Sequence, residues 1–278
     1  MRIRDFRGKT IYLFGGSSGI GLETAKLLSA AGAHLILFAR NRERLAAALQ
    51  AVRQRRDGEG QRFAVYPLDV TRHGDVVRVV EEAVGAVGPP DILINCVGRA
   101  RPKTFGEIDY EQFDETMKVN LYGTWNTISA LLPHMKDRGG RILNFSSPCG
   151  YVGVYGYTDY CAARFGTIGL SETLKSELRD FGISVQVICP PDTDTPGYRE
   201  ENRTKPPETA ALSGWASLLQ PERAAEMVVR ALRHGRFLVN PGFMGKVVYL
   251  AKRMAPGFVD FMIRRDIRRA RRGRGYQH

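Results

Sequence analysis

Seven short apolar runs, separated by stretches with helical periodicity, constrain this chain more than any other feature of it. The runs cover residues 10–14, 35–39, 63–66, 91–95, 141–146, 183–189 and 236–239. Runs of this kind read as strands buried on both faces of a parallel sheet. The segments between them have the 3.6-residue period; in 19–31, Ile20, Leu27, Leu28 and Ala31 are expected to form the buried face. Right-handed crossovers then join successive strands into a doubly wound α/β sheet. At 278 residues, one such domain fills most of the chain. The expectation is a catalytic domain over 1–240 and a C-terminal helical extension over 241–278. A polar, Pro-rich stretch from about 190 to 221 is too long for a passive connection and reads as a lid.

Composition narrows the class. Hydrophobic residues at 43% and charged residues at 25% exclude disordered and fibrous chains. Cys96, Cys149, Cys161 and Cys189 are scattered without a C-x-x-C pair, which argues against a metal site or a disulfide framework. The opening MRIRDFRGKT has no apolar core, so a reducing cytoplasm is the expected compartment.

The first strand runs into Gly15, Gly16, Ser17, Ser18, Gly19, Ile20 and Gly21 and then a helix. Glycines let backbone approach a pyrophosphate, and the helix N-terminus meets its charge, as in the dinucleotide-binding Rossmann fold. The second strand ends in Arg40, Asn41 and Arg42, with no carboxylate to bond a ribose. A guanidinium suits a 2′-phosphate, so NADP(H) is expected over NAD(H), with Arg40 as its partner and Arg42 solvated. Asp69, with Val70 beside it, is placed at the adenine. Asn95, Val97 and Gly98 close the fourth strand at the cofactor ribose.

Tyr160 and Arg164 stand four apart on a predicted helix, so both leave one face. Ser147 follows a strand end, and Asn120 lies in the preceding helix. In this order and spacing, the set resembles the short-chain dehydrogenase/reductase family. That family's pattern is a TGxxxGIG loop, an NNAG strand end, a helical Asn, a Ser and Tyr-x-x-x-Lys, and the resemblance covers about residues 8–240. It implies that Tyr160 protonates a substrate carbonyl oxygen as a nicotinamide delivers hydride, that Ser147 bonds the developing alkoxide, and that Asn120 holds a water in a proton relay. Pro190, Thr193 and Thr195 occupy the place of the family's PGxxxT segment, where they would orient the carboxamide. A homodimer or tetramer is implied, paired through the helices around Asn120 and Tyr160.

Three positions depart from the pattern: Phe14 for Thr, Val97 for Ala and Arg164 for Lys. A guanidinium keeps the positive charge that would lower the Tyr160 pKa, but it does not release a proton. A cofactor-binding chain that has lost most catalysis is therefore the competing reading.

Residues 190–208, PPDTDTPGYREENRTKPPE, resemble one branch of the family, the 3-ketodihydrosphingosine reductases. That resemblance implies a long-chain keto-sphingoid substrate reduced by NADPH. Reduction of another hydrophobic ketone is the alternative. Tyr151, Val152, Val154, Tyr155 and Tyr157 are candidates to line an acyl channel, and Asp192 or Asp194 to meet the substrate ammonium.

The net charge is +12, and residues 261–278 hold seven Arg against one Asp. On a helical wheel, Phe258, Val259, Met262, Ile263, Ile267 and Ala270 fall opposite six arginines. That is the pattern of a helix lying on an anionic membrane surface. Packing on the domain and contact with nucleic acid are the weaker readings.

Overall fold

The computed structural model describes residues 3–213, 217–240 and 242–272. Its centre is a seven-stranded parallel sheet: β1 (Thr10–Phe14), β2 (His34–Ala39), β3 (Phe63–Pro67), β4 (Ile92–Asn95), β5 (Gly140–Phe145), β6 (Ile183–Ile188) and β7 (Leu238–Val239). The strand order is β3-β2-β1-β4-β5-β6-β7. Every apolar run of the sequence thus becomes a strand, with ends shifted by a residue or two. Winding proceeds outward from β1 to β3, then crosses back to place β4 on the other side of β1. A crevice opens at that reversal, beyond the carboxyl ends of the strands.

Successive side chains of a strand enter opposite layers. Ile11 and Leu13 of β1 pack with Leu28 of α1 (Gly19–Ala30) and with Val228 and Leu232 of α9 (Pro221–His234). Tyr12 and Phe14 pack on the other side with Val76 and Val80 of α3 (His73–Val87) and Leu131 of α5 (Gly123–Met135). The unusual Phe14 is absorbed there. Its ring stacks on Phe38 at 4.3 Å, and Tyr66 continues the stack at 5.5 Å from Phe38.

One position of the face expected of α1 is corrected: Leu28 lies in the core and Ile20 and Ala31 pack against it, but Leu27 does not. The buried positions of α1 are Gly21, Thr24, Ala25, Leu28 and Ser29, while Leu27 is 36% exposed and Ile20 and Ala31 are half-buried. Small residues let α1 lie close to the sheet and to α9, so the helix turns its smoothest side inward. Bulk did not choose the face.

The stretch after β6 is ordered. It holds α7 (Pro196–Glu201) and α8 (Pro207–Ser213), and its two limbs are laced together where Asp194 N–H donates to Leu219 and Leu219 N–H to Asp192. The C-terminal extension is two helices, α10 (Phe243–Met254) and α11 (Pro256–Arg272), broken at Ala255 and Pro256. Among the described residues, no helix is long and apolar enough to cross a membrane. Arg274 and the rest of 273–278 lie outside the described residues.

Candidate active site

The crevice between β1 and β4 is a cleft of about 720 Å³. Its floor is the turn from β1 into α1. Gly15 takes φ +89°, and a Cβ there would sit 2.9 Å from the Cys96 carbonyl carbon; one on Gly21 would sit 2.2 Å from the Gly15 oxygen. This cradle exists only without side chains. Ser18 makes no side-chain cap bond, and no acid occupies the first turn of α1. The positive end of the helix therefore faces the cleft. Ser17, Ser18, Gly19 and Ile20 line it with Gly15 and Gly21. These residues fit a dinucleotide pyrophosphate.

At the far end of the cradle, Arg40 is exposed on the rim. Arg44, which the sequence reading did not single out, lines the cleft with it, whereas Arg42 does not. Asn41 caps α2 (Arg42–Arg53) by accepting from the Arg44 N–H at 2.8 Å, so Arg44 falls on the helix's first turn beside the cleft. Asp69 and Val70 line the same end. The Asp69 Oδ1 accepts from the Thr71 N–H and hydroxyl, at 3.0 and 2.8 Å, which fixes the carboxylate.

Ser147, Tyr160 and Arg164 line the other end together, with Val97, Gly98, Pro190, Thr193 and Thr195. Tyr160 and Arg164 leave one face of α6 (Thr158–Glu177), and the guanidinium carbon lies 5.0 Å from the phenol ring centroid. Arg164 is buried, donates from Nη1 to the Phe145 carbonyl at 2.8 Å, and has no partner at Nε among the described residues. A Cβ on Gly98 would lie 1.9 Å from Arg164 Nη2. A glycine at the end of the β4 motif is thus what lets the longer guanidinium fit.

Burial raises the Tyr160 pKa; the Arg164 charge and hydrogen bond pull it back, but the net direction is upward. The expected acidic phenol is therefore corrected: desolvation outweighs the guanidinium. Burial also pushes the Cys96 and Cys189 thiols up to about 12, so neither offers a thiolate to the cleft.

Two expected site residues stand behind the wall rather than on it. Asn95 donates to Asn144 Oδ1 at 2.9 Å and accepts from the Thr127 hydroxyl at 2.7 Å. The Asn120 side chain accepts from the Arg99 N–H at 3.0 Å and donates to the Arg99 and Thr116 carbonyls, both at 2.9 Å. It pins the segment after β4 to the π-helical turn Lys118–Tyr122. Thr193 is held by its own turn, its hydroxyl donating to Pro191 at 2.9 Å, and the Thr195 hydroxyl caps α7 through the Tyr198 N–H at 3.1 Å.

The family model for short chain dehydrogenases matches residues 9–206. The chain belongs to that family. It is accordingly an oxidoreductase of a kind that uses a nicotinamide cofactor. A 3-dehydrosphinganine reductase of Danio rerio is 37% identical to it over 237 residues, 84% of this chain and 71% of the relative. A 3-ketodihydrosphingosine reductase of Dictyostelium discoideum is 34% identical over 270 residues, 92% of this chain and 80% of that one. In fold, the chain is similar to the apo form of LigD from Sphingobium sp. strain SYK-6, with TM-score 0.75 at 24% identity over 92% of this chain and 98% of that one.

The apolar end of the cleft is built by Tyr151, Val152, Val154 and Tyr157. Tyr155 is turned away: its hydroxyl accepts from Arg271 and its carbonyl from Thr209. Asp194 is also withdrawn, since Arg199 binds both its oxygens at 2.8 and 3.0 Å and holds its carboxyl below the usual range. Asp192 lines the cleft, and so does Glu201, which the sequence did not reveal. Burial raises both carboxyl pKa values. The Lys205 charge opposes that rise at Asp192. Glu201 accepts from the Tyr157 hydroxyl and pairs with Lys205 at 3.2 Å.

Proposed function

We propose that this short-chain dehydrogenase uses NADPH to reduce the 3-keto group of 3-ketosphinganine to sphinganine, the alcohol step of sphingoid-base synthesis. The observation that carries the reading is the convergence of Tyr160, Ser147 and Arg164 on the cleft that the glycine cradle opens. A bound reduced nicotinamide supplies the hydride. Tyr160 gives its proton to the carbonyl oxygen, Ser147 donates a hydrogen bond to the same oxygen, and Arg164 steadies the phenolate that is left. Arg164 also has an Nε, without a partner among the described residues, to offer a ribose hydroxyl. Asn120 supports this constellation from behind, through Arg99.

The similarity to sphingoid-base reductases supports the substrate, and the cleft's charge supports it independently. Asp192 and Glu201 give two carboxylates against the single ammonium of Lys205, whose side chain is 5% exposed. A 2-amino ketone brings the cation that balances them. NADPH is supported by Arg40 and Arg44 at the cleft rim and by the absence of an acid at the end of β2, residues 38–42. The enzyme pairs with itself through helices that expose Tyr122, Trp125 and Phe165, and it works in the cytoplasm at an anionic membrane face. Four free cysteines accord with a reducing compartment.

Purified protein incubated with 3-ketosphinganine and NADPH should form sphinganine, and Tyr160→Phe should lower the rate at least ~100-fold while still binding NADPH. No product from the parent protein, with NADPH bound, would refute the assignment. Asp192→Asn should raise KM for the aminoketone about tenfold, as loss of a charge-assisted contact predicts. It should leave KM for the same chain lacking the amine unchanged.

A further inference from the structure

The C-terminal hairpin contradicts the face expected of it. Val259 of α11 is buried, and Met262, Ile263, Ile267 and Ala270 are half-buried. That side packs on the stretch after β6: Arg271 reaches Glu208 of α8 at 3.0 Å, and Ile263 lines the cleft. The apolar half of α11 is therefore spent on the domain. What remains outside is a different surface. Phe243, Val247, Leu250 and Met254 of α10 are 81, 41, 61 and 78% exposed, at spacings of four, three and four that put them on one stripe. Phe258 and Phe261 of α11, each 60% exposed, extend it.

We infer that this stripe is inserted into an anionic lipid leaflet and that the hairpin passes the lipid ketone from the leaflet into the cleft. This rests on the proposed substrate. Two features choose a lipid surface as the occupant. Hairpin residues 242–272 carry nine Lys and Arg against two Asp, a surplus of seven positive charges beside the exposed rings. Along the outer side of α11, Phe258 and Phe261 give way to Arg264, Arg265, Arg268 and Arg269, all exposed. Apolar groups at acyl depth with arginines at the headgroups are what an interfacial helix presents.

The second feature is continuity with the site. Met244 and Val248, one position round the helix from the exposed stripe, line the cleft with Gly245. The Tyr151 hydroxyl donates to the Gly245 carbonyl at 3.3 Å, and its ring meets Tyr249 edge-on at 5.1 Å. One helix thus faces lipid on one side and the substrate end of the cleft on the other. An acyl chain leaving the leaflet along α10 reaches Tyr151 without crossing water.

The test is cosedimentation of the full chain with phosphatidylcholine vesicles with and without phosphatidylglycerol, together with turnover measurements. The parent protein should bind the anionic vesicles and lose them in high salt. The triple variant Phe243→Ser, Leu250→Ser, Phe258→Ser should bind at least about tenfold more weakly, since each serine removes one inserted side chain. It should reduce a short, water-soluble 2-amino-3-ketone at the parent rate and a vesicle-borne long-chain ketone more slowly. Arg264→Glu with Arg268→Glu should abolish the preference for anionic vesicles. Parent-like vesicle binding by the triple variant, no binding by the parent, or a changed oligomeric state in the variant would each overturn the inference; the last would make the stripe a self-association face. Failure of the parent to reduce either ketone would sink the substrate assignment, while the vesicle arm would still decide the docking surface.

Discussion

Arg164 does its work with a reach that a lysine lacks. Its Nη1 satisfies the buried Phe145 carbonyl, and its plane lies against Gly98 and over Tyr160. Arg164→Lys should therefore lower kcat, by about tenfold if the stranded carbonyl costs what a buried unpaired acceptor usually does. Dinucleotide affinity should change little, as a fluorescence titration can show. A gain in kcat would mean that the guanidinium is a handicap and that this chain is built for binding. The raised Tyr160 pKa carries a second expectation. A group shifted upward keeps its proton to higher pH, and the proposed ketone reduction uses the protonated phenol. The tyrosine should therefore impose no loss of reduction rate through neutral pH, with decline only above the ordinary phenol value of 10.0. The reverse oxidation needs the phenolate and should climb across the same range. Paired pH profiles of the two directions would test the sign. At this scale, residue type and spacing made Tyr160, Arg164 and the glycines legible. The directions of Asn95 and Asn120 were not, because an amide side chain serves a cleft or a buried backbone equally well until its partners are known.

Elements were legible where periodicity and burial agree. The five inner strands, β2, β1, β4, β5 and β6, are apolar because both their faces are covered, so the run itself reports the strand. Helix α10 escaped because the agreement fails there: its apolar stripe points outward, and Lys246, Lys252 and Arg253 interrupt the run. The segment after β6 was legible as a departure from the alternation, but not the local side-chain contacts that hold it together. Lys205 is its clasp, holding Glu201 at 3.2 Å and lying over the Tyr198 ring at 4.5 Å. Lys205→Ala leaves two carboxylates facing each other without a cation. KM for the ketone should rise about tenfold, with a smaller change in kcat, because a broken buried pair costs more than an absent one. Faster amide exchange across residues 196–213 in the variant would place the effect in that segment. Unaltered exchange with a lower kcat would place it in the chemistry.

Across the whole molecule, the cleft carries charge at both of its ends. Arg40, Arg44 and Asp69 stand at the end of the glycine cradle, and Asp192, Glu201 and Arg164 at the end beside Tyr160. A net charge of +12 raises the local concentration of any anion, but it does not distinguish one dinucleotide from another; only groups that touch the 2′ position can. The two arginines are the cations positioned for that. Replacing both with Ala should lower kcat/KM with NADPH about 100-fold, at the strength usual for guanidinium–phosphate bonds, and leave NADH nearly unaffected. The same pair predicts the salt response. Raising ionic strength should erode the NADPH preference of the parent protein but not that of the double variant, because exposed charge pairs are screened over a Debye length. If the double variant keeps both its preference and its salt dependence, the 2′-phosphate is read elsewhere, and the missing carboxylate at the end of β2 is only permissive.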